Sequence, residues 1–260
     1  MRLKLPVIFL SISAVCSAQS NNADNALLQK AKALYDTPFR RGLINFDCSI
    51  EFDLKQHLKD NLAPASVLTG PLFNLLEPIR YRMFVDGSGA TVSAQPKLPD
   101  LAKVPQATEA EESNRNLMQF GLSNWVPYAA GELFPLGPTK YHFEKVSTGY
   151  TLTMQGDNLE TALVLDNQLH LVSGTVEKPM HIEMTQNFVS GPTGLLLTES
   201  STNTNHIGTV KYQYSYQTID GFQIPDAIVL TSPQNVTLRY KLTDCKTQHG
   251  IVVKVQPPQH

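Results

Sequence analysis

The sequence predicts a mainly β protein of the α+β type. The expected architecture is a large curved antiparallel sheet, or incomplete β-barrel, with a few helices packed on it as a lid. Three observations carry this. From residue 140 onward nearly every segment alternates apolar and polar residues, the period of a half-buried strand. Turn signals such as Ser147-Thr148-Gly149, Gly156-Asp157-Asn158, Asp166-Asn167 and Asp220-Gly221 leave only short separations, which antiparallel hairpins tolerate and parallel crossovers do not. Helical periodicity is confined to short stretches of the first half.

The elements follow in order. Asp24 can cap a first helix over 24–36, with Leu27, Ala31 and Leu34 at helical spacing, and Pro38 stops it. Residues 43–54 alternate, placing Ile44, Phe46, Cys48, Ile50, Phe52 and Leu54 on one face of a strand. Lys55 to Leu62 forms a short helix before a Pro/Gly-punctuated loop. Residues 79–85 and 90–95 form a hairpin around Asp86-Gly87-Ser88-Gly89. Pro96, Pro99 and Pro105, with the acidic Thr108 to Glu112, predict an exposed loop over 96–112 inside a single domain, 19–260. Ser113 then caps a helix over 113–126, with Met118, Leu122 and Trp125 on one side. Strands are expected at 140–146, 149–155, 160–165, 168–176, 179–188, 193–201, 208–217, 223–231 and 235–245.

Composition limits the function classes. The 260 residues are 42% hydrophobic and 17% charged, with net charge −2, an ordinary globular balance without the basic excess of a nucleic-acid binder. Residues 1–18 read as a secretory signal peptide. Arg2 and Lys4 give a positive start, Leu5 to Val15 an apolar stretch too short to span a bilayer, and Cys16-Ser17-Ala18 a small-residue cleavage site. The alternative is a lipoprotein signal with Cys16 lipidated, which the bulky Val15 disfavours. An exported, periplasmic or secreted location follows. No later segment reaches about 18 consecutive apolar residues, so no membrane span is expected.

Cleavage leaves Cys48 and Cys245. In an exported chain an even pair is a candidate disulfide, and so long a loop would contribute on the order of 4–5 kcal/mol in the chain-entropy model. The alternative is two buried free thiols. Neither has a CxxC partner, so redox catalysis and zinc ribbons lack support.

Apolar stripes are the main functional clue. Tyr150, Leu152 and Met154 share one side of a strand, as do Met180, Ile182 and Met184, with Phe188 further along. Val210, Tyr212, Tyr214 and Tyr216 form an alternating row, and Val236, Leu238, Tyr240 and Leu242 another. Two or three short helices can cover only part of so large an apolar face. The surplus predicts a concave hydrophobic groove lined by Tyr150, Leu152, Met154, Met180, Ile182, Met184, Tyr212, Tyr214 and Tyr216. The competing reading is that each row is ordinary core.

Catalytic motifs give little. GxSxG, HExxH and GxxxxGK[ST] are absent. His142/Glu144 and His181/Glu183 stand at i and i+2, the spacing that puts a base dyad or two metal ligands on one strand face. Both pairs fall on the polar side, opposite Tyr141 and Phe143 or Met180, Ile182 and Met184. No catalytic residue, metal or cofactor is therefore expected. Asn235-Val236-Thr237 matches a glycosylation sequon.

The stretch Tyr212-Gln213-Tyr214-Ser215-Tyr216-Gln217-Thr218-Ile219-Asp220-Gly221-Phe222-Gln223-Ile224-Pro225, continuing through Val229-Leu230 to Val236–Cys245, resembles the bacterial outer-membrane lipoprotein carriers of the LolA/LolB-like fold. A strand, a D-G-x-x-[IL]-P turn, a second strand and a final strand with an aspartate-centred tail are typical there. The chain is also similar to other secreted bacterial proteins. The resemblance implies an incomplete antiparallel barrel with a helical lid, whose cavity holds lipid acyl chains. It lies within the last third of the chain, and no binding arginine transfers onto Arg40, Arg41, Arg80 or Arg82. The expected function is a non-enzymatic exported carrier of a lipid or acyl chain. Two alternatives stand beside it: an envelope interaction or sensor protein whose groove takes a protein segment, and a secreted hydrolase.

Overall fold

Alternation becomes strand throughout the second half of the chain, and hairpin connections set the order of the strands. The computed structural model describes residues 22–61, 63, 67, 70–95, 104–134, 140–156, 160–177, 180–205 and 208–250. The expected signal peptide lies outside them. Twelve strands form one sheet in the order β3-β2-β1-β12-β11-β10-β9-β8-β7-β6-β5-β4, so β3 and β4 are its edges. The chain is mainly β with few helices, as expected. The domain expected over 19–260 divides into two compact units. Of the described residues, those within 22–35, 132–213 and 231–234 form one, and those within 36–131, 214–230 and 235–250 the other. Among the described residues, no helix is long and apolar enough to cross a membrane.

The first unit is a meander served by one helix. It holds α1 (Asn22–Ala33), β4 (Lys140–Val146), β5 (Gly149–Gln155), β6 (Glu160–Asp166), β7 (Leu171–Val176), β8 (Ile182–Gly191) and β9 (Gly194–Thr204). The start of β10 (Gly208–Ile219) also belongs to it. Consecutive strands pair antiparallel from β4 to β10. Leu28 and Ala31 of α1 enter one core cluster with Tyr35, Phe143, Leu152, Met154, Leu163, Leu165 and Leu171. Each large apolar side chain so buried contributes about 1.5–3 kcal/mol. After the helix the chain is tied down by hydrogen bonds. Leu195 N–H donates to Leu34 O at 2.7 Å, and Leu171 N–H donates to the buried Tyr35 hydroxyl at 2.6 Å.

The second unit contains β1 (Leu43–Glu51), α2 (Leu54–Asp60), α3 (Pro71–Leu76), β2 (Arg80–Asp86), β3 (Gly89–Gln95), α4 (Pro105–Ser123) and α5 (Val126–Ala130). The remainder of β10, β11 (Phe222–Thr231) up to Leu230, and β12 (Thr237–His249) complete it. The β2–β3 hairpin forms as read, with Asp86 Oδ1 accepting from Ser88 N–H at 2.8 Å and Gly89 N–H at 3.1 Å.

Two expectations fail here. The face of β1 starts one residue early: Leu43 is buried and Ile44 is 48% exposed, while Phe46, Cys48 and Ile50 are buried. A register irregularity against β12 between Leu43 and Asn45 reverses the phase at that end. At the other end Leu54 leaves the strand and opens α2, which Asp53 caps by accepting from Gln56 N–H at 2.8 Å. The second failure is the loop over 96–112. Residues 96–103 lie outside the described set, but 105–112 form the first turns of α4, which therefore starts well before Ser113. Pro105 occupies the first turn, where a missing N–H costs nothing. The acidic run is amphipathic: Ala107, Glu111, Asn114 and Met118 are buried, and Glu111 Oε1 lies 3.2 Å from Arg115 Nε.

α4 lies against β3 and β12. Close approach is set at Gly121, where a Cβ would come within 2.9 Å of the Tyr240 hydroxyl and 3.3 Å of Ile228 Cγ2. α5 ends at Gly131, whose φ of 69° is the left-handed cap conformation. Arg40 donates to the terminal carbonyls of Ala130 and Gly131, both at 2.9 Å.

Candidate functional site

The apolar rows in the first unit can be traced strand by strand from the register. Phe143, Leu152, Leu163, Gly174, Met184, Thr202 and Val210 stand opposite one another across β4 to β10. The adjacent row is Tyr141, Met154, Thr161, Val176, Ile182, Thr204 and Gly208. Directly opposed residues share a face, so both rows lie on the side of the core cluster. Gly174 is the pivot. A Cβ there would meet Leu163 Cδ2 at 2.8 Å and Met184 Cε at 3.3 Å. Its missing side chain lets Leu163 and Met184 approach over β7, so the apolar surface runs on from β6 to β8.

The face changes character along these rows. At β4–β7 it is closed: Leu152 is 0% exposed, Met154 9%, and both belong to the cluster that α1 caps. Tyr150 is half-buried against that cluster, its ring 6.4 Å from Phe143. Beyond β7, Met180, Ile182 and Met184 are half-buried, and none of them is among the residues of the cluster. Tyr212 is buried opposite Ser200. Seven of the nine residues expected to line a groove thus belong to this unit. Tyr214 and Tyr216 belong to the other. There the Tyr214 hydroxyl donates to Gly121 O at 3.0 Å and accepts from Asn124 Nδ2 at 3.1 Å. The Tyr216 hydroxyl accepts from Trp125 Nε1 at 3.0 Å, and burial raises its pKa.

A third row escaped the sequence reading. Gln186, Ser200 and Tyr212 stand opposite one another on β8, β9 and β10, on the same face as Met184 and Ile182. Gln186 is 4% exposed and Ser200 3%. Among the described residues, neither end of the Gln186 amide nor the Ser200 hydroxyl has a hydrogen-bond partner. The signal was present in the sequence: Gln186 continues the Ile182, Met184 alternation, so a polar residue stands where an apolar one belongs.

The opposite face of β8–β10 is a solvated polar ladder. Thr185 Oγ1 and Ser201 Oγ are 2.7 Å apart, Asn203 Nδ2 donates to Glu183 at 3.1 Å, and Glu199 accepts from Gln213 and Asn187. These bonds hold the Glu183 and Glu199 carboxyls below their ordinary range. His181 belongs to this ladder, its ring nitrogens 3.0 Å from Glu177 and 3.5 Å from Glu183. Both carboxylates raise its pKa, Glu177 the more. His142 turns from Glu144 to Asp24, at 3.1 Å, with its side chain 73% exposed. Both candidate dyads are therefore open to solvent. Among the described residues, no group of three or more His, Cys, Asp or Glu side chains is arranged to hold a metal ion.

No protein-family model, no curated protein and no solved structure matches this chain.

Proposed function

We propose that the chain is an exported, non-enzymatic carrier that holds a lipid or acyl chain on the apolar face of β7–β10. The observation that carries this is the half-buried series Met180, Ile182, Met184, which extends the core face beyond the cluster capped by α1. Removing apolar surface from water at about 25 cal/mol per Å² drives binding of an acyl chain there. Unbranched, polarizable Met side chains adapt to varied apolar shapes. The disulfide between Cys48 and Cys245 fits an oxidising compartment, and residues 1–18 supply the export signal. The resemblance of Tyr212–Cys245 to lipoprotein carriers points the same way.

The test is native mass spectrometry of the mature protein purified from its own envelope, followed by organic extraction and lipid add-back. A co-purifying or rebound lipid is the expected result. A protein that stays lipid-free and ignores added fluorescent fatty acids overturns the reading.

A further inference from the structure

Building on that reading, we propose that Gln186 and Ser200 form a hydrogen-bonding subsite for the neutral polar head of the bound amphiphile. The ligand class is then an acyl chain carrying a hydroxyl- or amide-bearing group, such as a monoacylglycerol, and not an ionised fatty acid.

The argument starts from the cost of the pair. A buried polar group without a partner destabilises a fold, and three atoms here lie together with none among the described residues: Gln186 Nε2, Gln186 Oε1 and Ser200 Oγ. Leucine at 186 would continue the Ile182, Met184 series at no such cost. Groups of this kind that have no structural partner are expected where the partner is a ligand.

Chemistry narrows the partner. The Gln186 amide offers two N–H donors and a carbonyl acceptor, and the Ser200 hydroxyl both donates and accepts. Only a group with its own donor and acceptor satisfies both. A carboxylate accepts only, and would leave the Gln186 carbonyl facing an anion. The neighbours on this face, Met184, Thr202, Val210 and Tyr212, carry no charge to compensate one. Placement completes the match. Ile182 lies four residues along β8 from Gln186, about 13 Å away. A head at Gln186 and Ser200 thus leaves its acyl tail running over Met184 and Ile182 toward Met180.

The experiment is calorimetric titration of the mature protein with 1-monolauroylglycerol and with laurate, at a pH where laurate is ionised. Gln186→Leu and Ser200→Ala are compared with the wild type. The wild type binds the monoacylglycerol about tenfold or more tightly than laurate, and each variant loses most of that preference while laurate affinity stays within about twofold. Gln186→Leu also melts about 2–4 °C higher than the wild type without ligand, because an unpaired buried amide is gone. Should one variant fail to fold, the other reads the same preference. Equal affinity of the wild type for the two amphiphiles, or a preference that survives in the folded variants, overturns the subsite and leaves the carrier reading standing. Failure of the wild type to bind either amphiphile overturns the carrier reading itself, and the subsite with it.

Discussion

Cys48 of β1 and Cys245 of β12 are bonded across neighbouring strands, 197 residues apart in sequence. The register explains how they meet. Between Asp47↔Lys246 and Ser49↔Thr243 the pairing shifts, and Asp244 takes a φ of 50°, so β12 carries an extra residue opposite Cys48. Closing so long a loop restricts the unfolded chain by roughly 5 kcal/mol in the entropic model. Reduction, or the Cys48→Ala/Cys245→Ala pair, is expected to cost about 2–5 kcal/mol, read as a lower urea midpoint. Thiol titration of the denatured, unreduced mature chain is expected to find no free thiol.

Gly121 and Tyr240 set the seat of α4 on β12. The Tyr240 hydroxyl donates to Met118 O at 2.7 Å and sits where a Cβ on Gly121 would intrude. Gly121→Val overpacks this contact and is expected to lose about 1–3 kcal/mol. Tyr240→Phe removes the hydroxyl's bond to a carbonyl of α4 and is expected to cost about 0.5–1.5 kcal/mol. Because the two residues touch, the double variant departs from the sum of the singles in a urea double-mutant cycle.

Asn61 acts as a side-chain strand partner for β12. Its Oδ1 accepts from Thr237 N–H at 2.7 Å and its Nδ2 donates to Thr237 O at 2.9 Å. Asn61→Ala removes both of these bonds, leaving His57 Nδ1 3.1 Å from Thr237 O, and is expected to lose about 1–3 kcal/mol, with faster amide exchange at Thr237. Asn61→Asp keeps the acceptor but turns a carboxylate toward the Thr237 carbonyl, so it rescues little.

His57 and His181 are expected to titrate on opposite sides of the ordinary value of 6.5. Burial lowers His57, against a smaller opposing effect of its bond to Thr237 O. The stability linked to His57 is therefore full above 6.5 and lost as the pH falls through its lowered folded value. For His181, raised by Glu177 and Glu183, the sign reverses: its contribution is full below 6.5 and lost as the pH rises through its raised folded value. NMR titration of the two ring signals checks both, and Glu177→Gln moves the His181 midpoint back toward 6.5 without touching His57.

Period-2 alternation is a local property, and it was enough to place the strands from β4 to β12 within a few residues and to make the chain mainly β. The two cysteines left after the expected signal cleavage likewise made Cys48 with Cys245 a candidate pair. What one strand cannot report is its neighbour. The irregularity that exposes Ile44 arises from pairing with β12, and Asp244 adopts its left-handed φ only to keep that pairing. Pro105 and the acidic run after it spell loop in isolation, and became helix because Ala107, Asn114 and Met118 found a buried face. The candidate site shows the same division. The apolar rows were legible residue by residue, whereas which of them are closed depends on α1 capping Leu152 and Met154 and leaving Met184 outside the cluster. Gln186 and Ser200 lie fourteen residues apart in sequence and meet only through the β8–β9 register. Burial, cross-strand partners and the loss of hydrogen bonds to water are properties of three-dimensional packing, so the tertiary structure alone decided where a polar pair would be left without a partner among the described residues.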